Sequence, residues 1–135
     1  MLQNIMNKVV SLFSGVGGID LAFEQAGFST IFANDIDEPA CKTFSRNFNI
    51  PIVCDDIKNI KEDEIPDCDC LVAGFPCQAF SIAGYRKGFE DTRGTLFFEI
   101  ARIIRKKKPQ VVFLENVKNL VAHDNGKTFE IILNT

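Results

Sequence analysis

Val9-Val10-Ser11-Leu12-Phe13-Ser14-Gly15-Val16-Gly17-Gly18 is the stretch that decides the fold. A short β-rich run at residues 9–14 reads as a buried strand, ends in glycines and passes directly into a helical pattern at residues 18–26. Ile19, Ala22, Phe23 and Ala26 recur there at helical spacing as the expected apolar face, with Leu21 at its margin and Gly27 just past the end as a stop. A buried strand turning through glycines into a helix is the opening unit of an α/β sheet. The rest of the chain repeats that unit. Residues 29–34 read as a second strand, closed by Asp35, and residues 38–48 as a helix with Pro39 in its first turn. Residues 52–54 and 68–73 read as two more strands. Residues 94–107 form a strong helical pattern with Leu96, Ile100, Ile103 and Ile104 on one face, stopped by Pro109. Residues 110–114 make a fifth strand, and residues 128–133 begin another helix. This alternation predicts parallel strands joined by right-handed crossovers. Residues 55–69 are acidic and polar and read as a surface connection; residues 74–91 read as a long loop of the length expected for a functional lid.

Composition narrows the class. The chain has 135 residues, a net charge of −3, 46% hydrophobic and 24% charged residues, which fits a globular domain and excludes a disordered tail, a collagen-like repeat or a small disulfide scaffold. No run of 18 apolar residues exists, so no membrane span is expected, and residues 1–8 are too polar for a secretory signal. A single domain in the cytoplasm is the expectation. Five cysteines, an odd number, point to reduced thiols. Cys41, Cys54, Cys68 and Cys70 are expected to be inert and buried. Cys68 and Cys70 are one residue apart and His123 is the sole histidine, so no metal site is expected. Residues 1–75 carry five Lys/Arg against twelve Asp/Glu, a balance of −7, whereas residues 76–135 carry ten against six, a balance of +4. The basic second half leaves nucleic acid open as a partner, although the run at residues 105–108 also suits the solvated end of a helix.

Three positions sit where such a sheet places its chemistry, at the carboxyl ends of strands. The turn from Phe13 to Gly18 lets backbone approach a ligand closely, and Asp35, at the end of the second strand, can accept hydrogen bonds from ribose hydroxyls; together they fit an adenosine-containing cofactor. Asp20 stands where the dinucleotide fingerprint has its third glycine, so the match is to a different cofactor class. Asp56 is a further polar group at the same sheet edge. Cys77, in Gly74-Phe75-Pro76-Cys77-Gln78, is a candidate nucleophile that needs activation, because a thiol is mostly protonated at neutral pH. Glu115, in Glu115-Asn116-Val117, is a candidate acid at the mouth of the fifth strand. Arg86, Lys87 and Arg93 give the long loop a positive surface. Tyr85 and His123 have no assigned role.

Taken in order, these motifs resemble the bacterial cytosine-5 DNA methyltransferases, and within them the HhaI-type modification methylases. Phe13 to Gly18 looks like the first cofactor motif, Asn34-Asp35 and Asp56-Ile57 like the second and third, and Gly74-Phe75-Pro76-Cys77-Gln78-Ala79-Phe80-Ser81 like the catalytic motif; Arg93-Gly94-Thr95-Leu96-Phe97-Phe98 and Glu115-Asn116-Val117 look like the next two. The resemblance implies a Rossmann-like S-adenosylmethionine-dependent methyltransferase fold. It implies that Phe13 stacks on the adenine and that Gly15, Val16 and Gly18 line the methionine moiety. Asp35, with Ile36 beside it, would bind the ribose, Asp56 and Ile57 the adenine edge, and Pro76 and Leu96 would complete the floor. Cys77 would attack carbon 6 of a cytosine flipped from double-stranded DNA, and Glu115 would contact ring nitrogen 3. Gln78, Ser81, Arg93 and Asn116 are the implied substrate contacts. The implied cofactor is S-adenosylmethionine, and the implied setting is a restriction-modification system.

The chain departs from the family in three residues. Ser11 replaces a common acid, Ile36 a common aromatic residue, and Ala83 a frequent serine. The family's Gln-x-Arg-x-Arg motif, target recognition domain and C-terminal motifs do not occur in residues 1–135, which are therefore expected to be the N-terminal portion of the catalytic, cofactor-binding domain, C-terminally incomplete and inactive alone, with the fifth strand as an exposed apolar edge. A second polypeptide supplying the missing motifs is one expectation. A tRNA cytosine-5 methyltransferase and a non-catalytic binding module are the alternatives.

Overall fold

A computed structural model describes residues 7–76 and 96–135. Five strands, β1 (Lys8–Leu12), β2 (Ser29–Asp35), β3 (Ile52–Cys54), β4 (Cys70–Gly74) and β5 (Val111–Glu115), form one sheet in the order β3-β2-β1-β4-β5. Every neighbouring pair is parallel. Among the described residues four α-helices accompany them: α1 (Gly18–Gln25), α2 (Glu38–Asn47), α3 (Leu96–Lys107) and α4 (Lys127–Asn134). The chain winds outward from β1 to β3, returns to the other side of β1 for β4, and winds outward again to β5. The reversal between β1 and β4 opens a crevice at the carboxyl ends of those two strands.

The period-two alternation of the strands separates two buried layers. Val10, Leu12, Leu71 and Ala73 face α3, where they pack with Phe97, Ile100 and Ile103. Val9, Cys70 and Val72 face α1, against the partly buried Ile19 and Phe23. Phe44 and Phe48 stack at 4.4 Å beside Ala33. In α2, Asp37 accepts a bond from the Ala40 amide as its N-cap, and Pro39 occupies the first turn, as expected from the sequence.

Several expectations are corrected. Residues 55–69 are more than a surface connection: two 3-10 turns, Ile57–Asn59 and Glu62–Glu64, bury Ile57, Ile60 and Ile65 in the α3 layer. The isoleucines are spaced between carboxylates, so average polarity hid a buried side. The apolar face assigned to α1 is only half right. Ile19 and Phe23 pack on the sheet, but Ala22 and Ala26 are exposed, and the one fully buried residue of the helix is Asp20. Cys41 and Cys70 are buried as expected, Cys68 is half-buried, and Cys54 is exposed. The basic run at the end of α3 is solvated at Arg105, Lys106 and Lys108, as expected, and it also makes ion pairs: Lys106 with Asp63 at 3.0 Å and Lys107 with Asp67 at 3.2 Å. Part of the +4 balance therefore meets the acidic connection within the chain.

β5 lies at the sheet edge, with Val111 57%, Val112 40% and Phe113 43% exposed, as the sequence led us to expect. Among the described residues no helix is long and apolar enough to cross a membrane.

The layer under α3 carries much of the stability. Ile100→Ala, at a fully buried site, is expected to lower the unfolding free energy by about 2–5 kcal/mol in urea titrations. Leu133→Ala, at an exposed site, should change it by no more than about 0.5 kcal/mol. Equal midpoints for the two variants would contradict this packing.

Candidate functional site

The crevice at the carboxyl ends of β1, β2 and β4 holds a cavity of about 690 Å³, a size suited to a small-molecule ligand. Phe13, Asp35, Ile36, Asp56, Ile57, Pro76, Leu96, Glu115 and Asn116, nine of the residues singled out from the sequence, line it together. Gly15, Val16 and Gly18 are not among its lining residues; they follow Phe13, which is. Cys77, Gln78, Ser81 and Arg93, together with Ala83, Tyr85, Arg86 and Lys87, lie outside the described residues.

The glycine turn is held by backbone conformation and by one carboxylate. Phe13 and Gly15 both adopt φ +55°, and Gly17 adopts φ +92°. For an aromatic residue such as Phe13 a positive φ is costly, which marks it as a position held by its surroundings. A side chain at Gly17 would run into the Phe48 ring. Gly17 is thus the position where only glycine fits. The Gly15 amide donates to Asp35 Oδ2 at 2.7 Å, and the Asp37 amide donates to Asp35 Oδ1 at 2.9 Å. Asp35 therefore fastens the turn after β1 to the end of β2, and each of its oxygens keeps a further lone pair for a ligand hydroxyl.

Asn34, buried beneath Asp35, carries a role that its neighbour obscured in the sequence. Its side-chain amide donates to the carbonyls of Val53 at 2.9 Å and Asp55 at 2.8 Å, locking the loop that presents Asp56. Asp56 Oδ1 in turn accepts from the Lys58 amide as N-cap of the 3-10 turn. From the other side, Arg102 of α3 donates to the carbonyls of Ile57 and Ile60, each at 3.1 Å, and pairs with Glu62 and Glu99. The planar guanidinium satisfies four partners at once, a pattern lysine cannot reproduce.

Across the crevice, Asn116 donates to the Phe75 carbonyl at 2.7 Å, tying the segment after β5 to the segment after β4. This bond uses one of the two hydrogens of the Asn116 amide, a residue for which the resemblance implies a substrate contact. Glu115 is exposed at the mouth of β5, and one carboxylate oxygen lies over Gly74, within 3.4 Å of where a Cβ would stand. Gly74, Phe75, Asp55, Lys58 and Val117 also line the cavity.

Below the turn, a buried acid was not legible as such. Asp20 accepts from Ser11 Oγ and from Thr30 Oγ1, each at 3.1 Å. Burial pushes its carboxyl above the usual range, and the two hydroxyls pull it partly back. The available signal was a pair of hydroxyl residues, Ser11 and Thr30, next to the apolar runs Val9-Val10 and Ile31-Phe32-Ala33. Ser11, where an acid was expected, lies against an acid supplied by α1.

The family model for C-5 cytosine-specific DNA methylase matches residues 7–135. The type II methyltransferase M.Bsp6I of Bacillus sp. (strain RFL6) is 60% identical over 129 residues, covering 94% of this chain and 41% of its own length. The type II methyltransferase M.HhaI of Haemophilus parahaemolyticus is 53% identical, covering 95% of this chain and 39% of its own. The chain thus spans about two fifths of the length of these relatives. A solved structure of a DNMT2 mutant from Spodoptera frugiperda superposes with a TM-score of 0.72 at 24% identity, over 95% of this chain and 40% of that one, and speaks for the fold alone.

The turn supplies a test of its own geometry. Gly17→Ala combines a positive φ with the Phe48 clash and is expected to cost at least about 1–2 kcal/mol. Gly18→Ala meets nothing within 4 Å at an ordinary φ and should leave the thermal midpoint near the starting value. A Gly17→Ala chain that melts with the unchanged chain would show that the turn is not so constrained.

Proposed function

The chain belongs to the C-5 cytosine-specific DNA methylase family, and from that premise we propose that it forms the cofactor-binding part of a DNA (cytosine-5)-methyltransferase of a restriction-modification system. The observation that carries this reading is the convergence of Phe13, Asp35, Asp56, Pro76, Leu96 and Glu115 on one cavity at the switch point of the sheet. Aromatic rings at Phe13 and Phe75 and the carboxylates of Asp35 and Asp56 in one cavity suit an adenosine-bearing molecule. S-Adenosylmethionine, when bound, supplies an electrophilic methyl group. Phe13 offers its ring to the adenine, Asp35 its remaining lone pairs to the ribose hydroxyls, and Asp56 with Ile57 the adenine edge. Gly15, Val16 and Gly18 border the methionine end.

In this reading the substrate is a cytosine turned out of double-stranded DNA, a step that costs a few kcal/mol of lost stacking and pairing. Cys77 follows Pro76 directly in the chain and acts as nucleophile. Its thiolate forms a bond to carbon 6 while Glu115 holds a proton at ring nitrogen 3, and carbon 5 gains the electron density that methylation there requires. Once carbon 5 carries the methyl group, its proton passes to water; the freed pair forms the carbon 5–carbon 6 double bond, the sulfur–carbon pair returns to Cys77 as thiolate, and the proton at nitrogen 3 returns to Glu115. Gln78, Ser81 and Arg93 serve the DNA side, and Asn116 braces the backbone at Phe75. The apolar edge of β5 is the surface that further chain would cover, from this or from a second polypeptide.

Joining residues 1–135 to the remainder of M.HhaI and assaying labelled-methyl transfer tests the proposal. Transfer to duplex DNA is expected, with none to tRNA. Cys77→Ser should abolish it, and Glu115→Gln should slow it by about 10²–10⁴-fold. Asp35→Ala should weaken cofactor binding by roughly 10–100-fold, the loss expected for hydrogen bonds to a charged group. Transfer to tRNA in preference to DNA, or wild-type transfer by the Cys77→Ser protein, would overturn the proposal.

A further inference from the structure

Asp20 is a fully buried acid that the proposed chemistry does not use, at 0% exposure. It lies in the first turn of α1, on the side facing the sheet, and its carboxylate joins three elements. Thr30 of β2 donates to Oδ1 and Ser11 of β1 donates to Oδ2, each at 3.1 Å. The relay then continues upward. Ser14 Oγ lies 3.0 Å from Ser11 Oγ and 3.2 Å from the Ser11 carbonyl. Because Ser11 gives its proton to Asp20, its oxygen is left as an acceptor for Ser14. The Ser14 carbonyl receives the Gly17 amide at 2.9 Å, and the Ser14 amide donates to the Asn34 carbonyl at 3.0 Å. Gly15, the next residue, places its amide on Asp35. A carboxylate can only accept from these hydroxyls, so it gives the whole row one direction.

We propose that Asp20 is a positioning residue for the cofactor turn: through the Ser11 and Ser14 hydroxyls, its buried carboxylate sets where the Ser14–Gly17 turn holds the Gly15 amide against Asp35. A buried acid with no such task would be a poor choice at this place. Ile19 and Phe23 already supply the helix's packing on the sheet, and removing a carboxylate from water is costly unless its bonds are used. The hydroxyls of Ser11 and Thr30 stand at the points needed to receive it. The inference rests on taking the Phe13–Gly18 turn as the cofactor turn, but the coupling itself is testable without cofactor. Loss of the coupling would leave the functional reading standing, and failure to bind cofactor would leave the coupling standing.

Amide hydrogen exchange and the amide proton resonance of Gly15, measured by NMR on the 135-residue chain, read the position of the turn. Asp20→Asn keeps the shape but places a donor where an acceptor stood. Gly15 and Gly17 should then exchange at least about tenfold faster, as expected for loss of one hydrogen bond. The Gly15 resonance should move upfield, while Val10, Leu12 and Leu71 in the sheet keep their protection. Ser14→Ala leaves Asp20 bonded to Ser11 and Thr30, and should give the same local change with little effect on the melting temperature. It decides the matter even if Asp20→Asn does not fold. The exchanged pair Ser11→Asp with Asp20→Ser should restore the Gly15 resonance, whereas Ser11→Asp alone, with two acids in contact, should not. An unmoved Gly15 in Ser14→Ala, or acceleration of the sheet amides in step with Gly15, would overturn the inference.

Discussion

In a parallel sheet with right-handed crossovers, a chain that winds outward on one side must return to its first strand to wind outward on the other. Here that first strand is β1, and β4 is laid against its free side. The helices that follow β1 and β4 then lie on opposite faces of the sheet, and a crevice opens between the ends of the two strands. The cavity follows from that constraint. So do the positions of Phe13 after β1, Asp35 at the end of β2, Pro76 after β4 and Glu115 at the end of β5, each at a strand's carboxyl end and each on the same rim.

Fixing the rim takes a second set of contacts, and these are mostly between backbone and side chain. Asp35 holds the β1 turn, Asn34 holds the loop after β3, Arg102 holds the turn at Ile57–Asn59, and Asn116 holds the segment at Phe75. Each bond crosses between segments far apart in sequence. A ligand that fills the cavity therefore meets walls already placed, and the cost of ordering loops on binding is reduced. The charged contacts are distributed in the same way: the basic end of α3 meets the acidic connection, so the opposite charges of the two halves of the chain partly neutralise each other along one side.

The alternation of parallel strands and helices was legible from periodicity and from the glycine and proline stops, whereas the order β3-β2-β1-β4-β5 came only with the structure. The central strands announced themselves because both of their faces are covered, which leaves short apolar runs such as Cys70–Gly74. Resemblance to known motifs brought out the residues whose role depends on a ligand. What stayed hidden was polar burial. Asp20 looked like a missing glycine and Asn34 like a companion of Asp35, because burial of a polar side chain depends on partners at long sequence distance that no local pattern records. The isoleucines of residues 55–69 were hidden for the opposite reason. Three apolar residues among seven carboxylates form no helical or strand period, and only the 3-10 turns bring them to one side.

The uncovered edge of β5 has a consequence for how such a sheet is completed. Its backbone groups on that side form no ladder within the described sheet, and its side chains are apolar, so the next strand to arrive is held by both. A strand on the same polypeptide arrives at an effective concentration of about millimolar, set by its tether, and a strand on another molecule only at its own free concentration. Completion of the fold at this edge is therefore a competition decided by covalent connection, and a chain offering no tethered strand leaves the outcome to molarity.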